Sequence, residues 1–191
     1  TLCAPFFTDL VDHDAPRAHG GLVDYSYYGP LDAPAGLAGE WRIIAVDFRG
    51  RGLSEYDTNP ANYVPHTYAA DVLKLLDQLG IADAVFFGTS LGGIVTMLMS
   101  TTDAERIAGA MINDIGPVVD DAGIDRLRQY VGKGGIFANW AEAAEAAAIR
   151  NGIAFPHFTP DQWDVFARRM ASERPDGTVR SDYDMAIAQP F

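Results

Sequence analysis

The sequence holds 191 residues, 48% of them hydrophobic, with 14 basic against 26 acidic side chains for a formal charge of -12. That length fits one domain with a modest insertion and a buried core, and the acidic balance, spread along the chain, argues against nucleic acid or an anionic membrane surface as partner. Cys3 is the single cysteine, no histidine pair has ligand spacing, and neither a run of about 18 apolar residues nor a signal-peptide pattern occurs, so the expectation is a cytoplasmic protein with no disulfide, metal or cofactor of its own.

In chain order, residues 1–40 show no sustained period. Thr1-Leu2-Cys3-Ala4 reads as the tail of a strand and His19-Gly20-Gly21 as a loop. Trp41-Arg42-Ile43-Ile44-Ala45-Val46 is a β-rich run that stops at Asp47, as a buried parallel strand would. The glycine-punctuated Phe48-Arg49-Gly50-Arg51-Gly52-Leu53-Ser54 reads as a loop. After a polar stretch, Val72, Leu75, Leu76 and Leu79 recur at helical spacing, with Gly80 as the stop. His13 and His66 are placed in polar loops.

Ala84-Val85-Phe86-Phe87 reads as a second strand and Ile94-Val95-Thr96-Met97-Leu98-Met99 as part of a helix. Between them Gly88-Thr89-Ser90-Leu91-Gly92 matches G-x-S-x-G, the nucleophile elbow. Small residues are needed at Gly88 and Gly92 because the backbone doubles back on itself there. The pattern makes Ser90 the candidate nucleophile, and the Leu91 N–H at the helix N-terminus a candidate oxyanion donor. Ile107-Ala108-Gly109-Ala110-Met111-Ile112 supplies a third apolar run, ending at Asn113-Asp114. Strands alternating with helices predict an α/β fold: a doubly wound, mostly parallel sheet with helices on both faces, and Asp47, Ser90 and Asp114 at strand ends.

Beyond Gly116-Pro117 the pattern changes to helices without intervening strands, over 122–131, 140–149 and 160–171, the last opened by Thr159, Pro160 and Gln162 as a capping signature. Residues 182–188 read as the start of a further helix. The expected organisation is therefore a core over 1–117 and a helical lid over 118–191, truncated before the last core strands. Phe137, Trp140, Phe155, Phe158, Trp163, Phe166 and Met170 either line a pocket beneath that lid or form its own core.

Asp47-Phe48-Arg49-Gly50-Arg51-Gly52-Leu53-Ser54, then Gly88-Thr89-Ser90-Leu91-Gly92-Gly93, then Asn113-Asp114-Ile115-Gly116-Pro117, resembles the α/β-hydrolase fold superfamily. The likeness, from about Trp41 to Phe191, is closest to its lid-bearing esterases, lactonases, carbon-carbon bond hydrolases and cofactor-free haloperoxidase-like proteins. The resemblance implies a serine nucleophile at Ser90, one oxyanion donor at Leu91, and an acid and then a histidine later in the chain. It also implies a second donor just past a His-Gly pair about 25 to 30 residues before the D-x-R-G loop, which brings Gly20 or Gly21 forward although no apolar strand precedes them.

The acid and histidine are expected on strands past Phe191; the alternative within the chain is Asp114 and His157, which complete the order Ser90, Asp114, His157. Asp47 and Arg49 read as turn and supporting residues. The expected activity is hydrolysis of a small carboxylic ester or lactone through an acyl-enzyme. The alternatives are carbon-carbon bond hydrolysis by the same nucleophile and a non-catalytic hydrolase-like domain.

Overall fold

The computed structural model describes residues 20–24, 42–52, 54–153 and 155–190. The expected strand tail at Thr1–Ala4, and His13 and His19, lie outside them. Four parallel strands form the central sheet: β1 (Gly20–Asp24), β2 (Arg42–Val46), β3 (Ala84–Thr89) and β4 (Ile107–Asn113), in the order β2-β1-β3-β4. The chain steps from β1 outward to β2, then crosses back to β3 and on to β4. The winding therefore reverses between β1 and β3, where a doubly wound sheet opens its cleft.

Helix α1 (Pro65–Gln78) buries Tyr68, Val72, Leu75 and Leu76, and α2 (Leu91–Thr102) buries Val95 and Met99. These side chains share one apolar core with Ile44, Val46, Phe48, Ala84 and Phe86. Each such side chain contributes about 1.5–3 kcal/mol when fully buried. α1 ends where the chain turns at Gly80, with φ +66°.

Three expectations are corrected. Gly20 and Gly21 open β1 rather than forming a loop, paired with Arg42 and Ile43 on one side and Ala84 and Val85 on the other. His66 sits exposed in the first turn of α1, which begins at Pro65; proline suits that position because the N–H it lacks would have no intrahelical acceptor. And residues 118–190 are not purely helical. Besides α3 (Asp121–Arg128), α4 (Trp140–Asn151) and α5 (Pro160–Met170), they hold β5 (Ile136–Phe137), β6 (Ala171–Glu173) and β7 (Val179–Ser181), an antiparallel sheet in the order β5-β7-β6. At residues 182–188 only a short 3-10 turn, Met185–Ala188, forms, capped by Asp184.

α5 starts as its sequence predicts, with Thr159 and Gln162 forming a reciprocal capping box. Ala143, Ala167 and Val179 make a second small core, against which Phe137 and Trp140 pack. No helix among the described residues is long and apolar enough to cross a membrane.

Candidate active site

β3 delivers Ser90 to the carboxyl end of the sheet, next to the winding reversal. Ser90 has φ 50° and ψ -109°, outside the regions an L-residue ordinarily occupies, and such a backbone costs about 1–3 kcal/mol. The surrounding chain imposes it. A Cβ at Gly88 would stand 2.5 Å from the carbonyl carbon and oxygen of Gly92 and 2.6 Å from the nitrogen of Gly93, so only glycine lets β3 and the first turn of α2 approach this closely. The Ser90 N–H donates to the Asn113 carbonyl at 2.9 Å, and the Ser90 carbonyl accepts from Ile94 at 3.1 Å.

The Ser90 side chain is exposed, and its hydroxyl does not cap the helix behind it. Leu91 is the first residue of α2, where the N–H groups have no acceptor within the helix and carry the positive end of its dipole. A hydroxyl standing free beside such N–H groups suits attack on a carbonyl and capture of the resulting oxyanion.

Asp114 follows β4 at the same end of the sheet, exposed and with φ 57°. His157 is exposed in the connection between α4 and α5. Among the described residues no hydrogen bond joins Ser90, Asp114 and His157. The structure thus brings Ser90 and Asp114 to one sheet end, and His157 is hydrogen-bonded to neither of them. Gly20 and Gly21 pair with Ala84 and Val85, five to six strand residues short of Ser90. At about 3.3 Å per residue they stand on the order of 16–20 Å away, too far to donate to an oxyanion there.

The loop after β2 is rigidly held. Asp47 lies just past the strand, its carbonyl accepting the Ser54 hydroxyl at 2.6 Å. Arg49, 8% exposed, donates twice to the buried Asp71 of α1 at 2.6 Å and also to Asp57. The hydrogen bonds to Asp71 raise the Arg49 pKa above its ordinary value; burial opposes this, and the charges of Asp71 and Asp57 add to it. Burial pushes the Asp57 carboxyl up, but the Asn59 N–H, Asn62 and Arg49 outweigh it and hold the group below its ordinary value. Arg49 is thus a supporting residue, as its sequence position implies. The Asp71 and Asp57 partners were not legible, since nothing local marks contacts spanning 22 and 8 residues.

The aromatic side chains of the C-terminal layer mainly meet one another. Phe155, Phe158, Trp163 and Phe166 form one cluster with ring centroids 4.7–6.5 Å apart, and Arg168 lies 4.4 Å over the Trp140 ring.

Comparison with known proteins agrees with this arrangement. The model of the Alpha/beta hydrolase family matches residues 18–190. A solved alpha/beta hydrolase from Novosphingobium aromaticivorans is 38% identical with a TM-score of 0.84, covering 95% of this chain and 65% of that one. The 3-hydroxybutyrate-oligomer hydrolase of Cupriavidus necator is 29% identical over 158 residues, 81% of this chain and 54% of the relative. The 2-(acetamidomethylene)succinate hydrolase of Mesorhizobium japonicum is 28% identical over 128 residues, 67% of this chain and 45% of the relative. The chain therefore spans about half the length of the curated relatives it matches. Since the match covers the parallel sheet, the strained serine turn and the layer beyond it, the chain belongs to the alpha/beta hydrolase family.

Proposed function

We propose that this protein is a serine hydrolase acting on a small carboxylic ester or lactone, with Ser90 as nucleophile and the Leu91 N–H as one oxyanion donor. The backbone of Ser90 carries this reading: a non-glycine residue held at φ 50° on a strand-to-helix turn, its hydroxyl exposed. Backbone strain of this kind collects at functional positions, because packing elsewhere must sustain it.

In the proposed reaction a histidine base takes the Ser90 proton as Oγ bonds to the carbonyl carbon. The oxyanion is met by the Leu91 N–H. The alcohol then leaves with the proton held by the base. Water, deprotonated by the same base, attacks the acyl-enzyme, releasing the acid and restoring Ser90. The 118–190 layer is assigned as the lid over the sheet end. An ester is favoured over other carbonyl substrates because the Cupriavidus necator relative hydrolyses an oligomer of a hydroxy acid, whose units join through ester bonds. The second reading is cleavage of a carbon-carbon bond, which would use the same nucleophile and the same oxyanion donor.

The test is turnover of short p-nitrophenyl esters, small lactones and a dienone-type carbon-carbon substrate by the full-length protein and its Ser90→Ala variant. Ester or lactone turnover that falls by at least about a thousandfold on substitution supports the proposal. Turnover of the carbon-carbon substrate alone moves the assignment to the second reading. Activity unchanged by Ser90→Ala removes the serine mechanism, and inactivity on all substrates favours a non-catalytic domain.

A further inference from the structure

The segment Asp182-Tyr183-Asp184 joins the two layers. The Asp182 N–H donates to the Met170 carbonyl at the end of α5 (3.0 Å), while the Asp182 carbonyl accepts from the Gly52 N–H in the loop after β2 (2.9 Å). One residue thus bonds the C-terminal layer with its N–H and the core loop with its carbonyl. Tyr183 bridges Arg51, and the Asp184 N–H donates to the Gly50 carbonyl at 2.7 Å. The side chains close the junction. The Tyr63 hydroxyl donates to Asp184 Oδ2 at 2.6 Å and accepts from the Asp57 N–H at 2.7 Å, while Asp184 Oδ1 accepts from the Ala186 N–H at 3.0 Å. Tyr63 is buried, its ring lies against Gly50, and Ile187 just beyond joins the main core.

The loop that receives this strap follows the carboxyl end of β2. In a parallel sheet that is the end that carries Ser90. Whatever fixes residues 182–184 on Gly50 and Gly52 therefore also fixes where α5, bonded through Met170, and α4, packed on α5, stand relative to the sheet end. We propose that Tyr63 and Asp184 are positioning residues that seat this strap and so set the room available to substrate above Ser90. The inference rests on the reading of Ser90 as a nucleophile beneath a lid. Neither residue touches the reacting atoms; their effect falls on the fit of long substrates.

The test compares wild type with Tyr63→Phe, Asp184→Ala and the conservative Asp184→Asn, which keeps an oxygen acceptor for the tyrosine hydroxyl. Two readouts are taken on the full-length protein: amide hydrogen exchange, and kcat and KM for p-nitrophenyl acetate against p-nitrophenyl decanoate. Tyr63→Phe and Asp184→Ala are expected to speed exchange about tenfold in 182–188 and in α4 and α5, with exchange in β3 and α2 unchanged. KM for the decanoate is expected to change several-fold more than KM for the acetate, with Asp184→Asn restoring most of the difference. Exchange unchanged at 182–188, or both esters affected alike, would overturn the proposal. If wild type turns over neither ester, the ester reading has failed, and the exchange pattern alone decides whether the pair anchors the layer.

Discussion

The Ser90 N–H donates to the Asn113 carbonyl at 2.9 Å, tying the turn out of β3 to the last residue of β4. The two non-glycine residues with positive φ among the described residues, Ser90 and Asp114, lie at and beside that bond. The strained turn is thus braced by the neighbouring strand, which lets it persist in a folded chain.

If that turn depends on close backbone approach, adding a methyl group at Gly88 must push β3 and α2 apart. Gly88→Ala is expected to cost about 1–3 kcal/mol, because the new Cβ meets backbone that cannot swing aside. Gly116→Ala is the control: its Cβ would meet nothing within 4 Å, and a change within about 0.5 kcal/mol is expected. Urea unfolding of both variants checks this, and equal costs would contradict it.

Arg49 and Asp71 are 8% and 5% exposed and bonded to each other twice. Asp71→Ala leaves a buried guanidinium short of its main partner, and a loss of about 3–5 kcal/mol is expected. Replacing both, as Arg49→Met with Asp71→Leu, is expected to cost clearly less than the two single changes added together. Urea midpoints across the full double-mutant cycle measure the difference.

Asp57 has a folded-state pKa below its unfolded value, so the unfolded chain binds its proton first as pH falls. Its contribution to stability is present above the unfolded value of about 4 and is lost as pH drops through the folded value. Melting curves from about pH 6 down to pH 3 are expected to show a steeper loss in wild type than in Asp57→Asn. Parallel slopes would refute the assignment.

Tyr63 behaves oppositely. Burial first, then the hydrogen bond to Asp184, push its pKa well above the ordinary value. The folded state therefore keeps the proton that the unfolded chain gives up at about pH 10. Stability from this group is full below that pH and declines above it. Tyr63→Phe is expected to start lower and to lose less between about pH 9 and pH 11 in the same melting assay.

How much of this was legible depended on whether the cause was local. The elbow was, because Gly88, Ser90 and Gly92 act within five residues, and so was α5, because its capping box is written in Thr159, Pro160 and Gln162. β1 was not: Gly20-Gly21-Leu22-Val23-Asp24 is short and opens on two poor strand formers, and it is held by parallel partners on both sides. Strands β5, β6 and β7, of two or three residues each, exist only through pairing with one another. The start of α1 was hidden because Val64 caps it without a side-chain bond, leaving Pro65 as the sole signal. Tyr63 and Asp184 meet across 121 residues, which no window along the sequence can show. The candidate site divides the same way: the strand-to-helix turn that holds Ser90 and Leu91 was readable, while the distance of Gly20 and Gly21 from Ser90 follows only from the sheet register.

The central claim, that Ser90 is an activated nucleophile, is tested most directly by treating the full-length protein with a fluorophosphonate and locating the adduct by mass spectrometry. The account predicts one label per chain, on Ser90, and none in Ser90→Ala. An unlabelled wild-type protein, or a label elsewhere that survives Ser90→Ala, would contradict it.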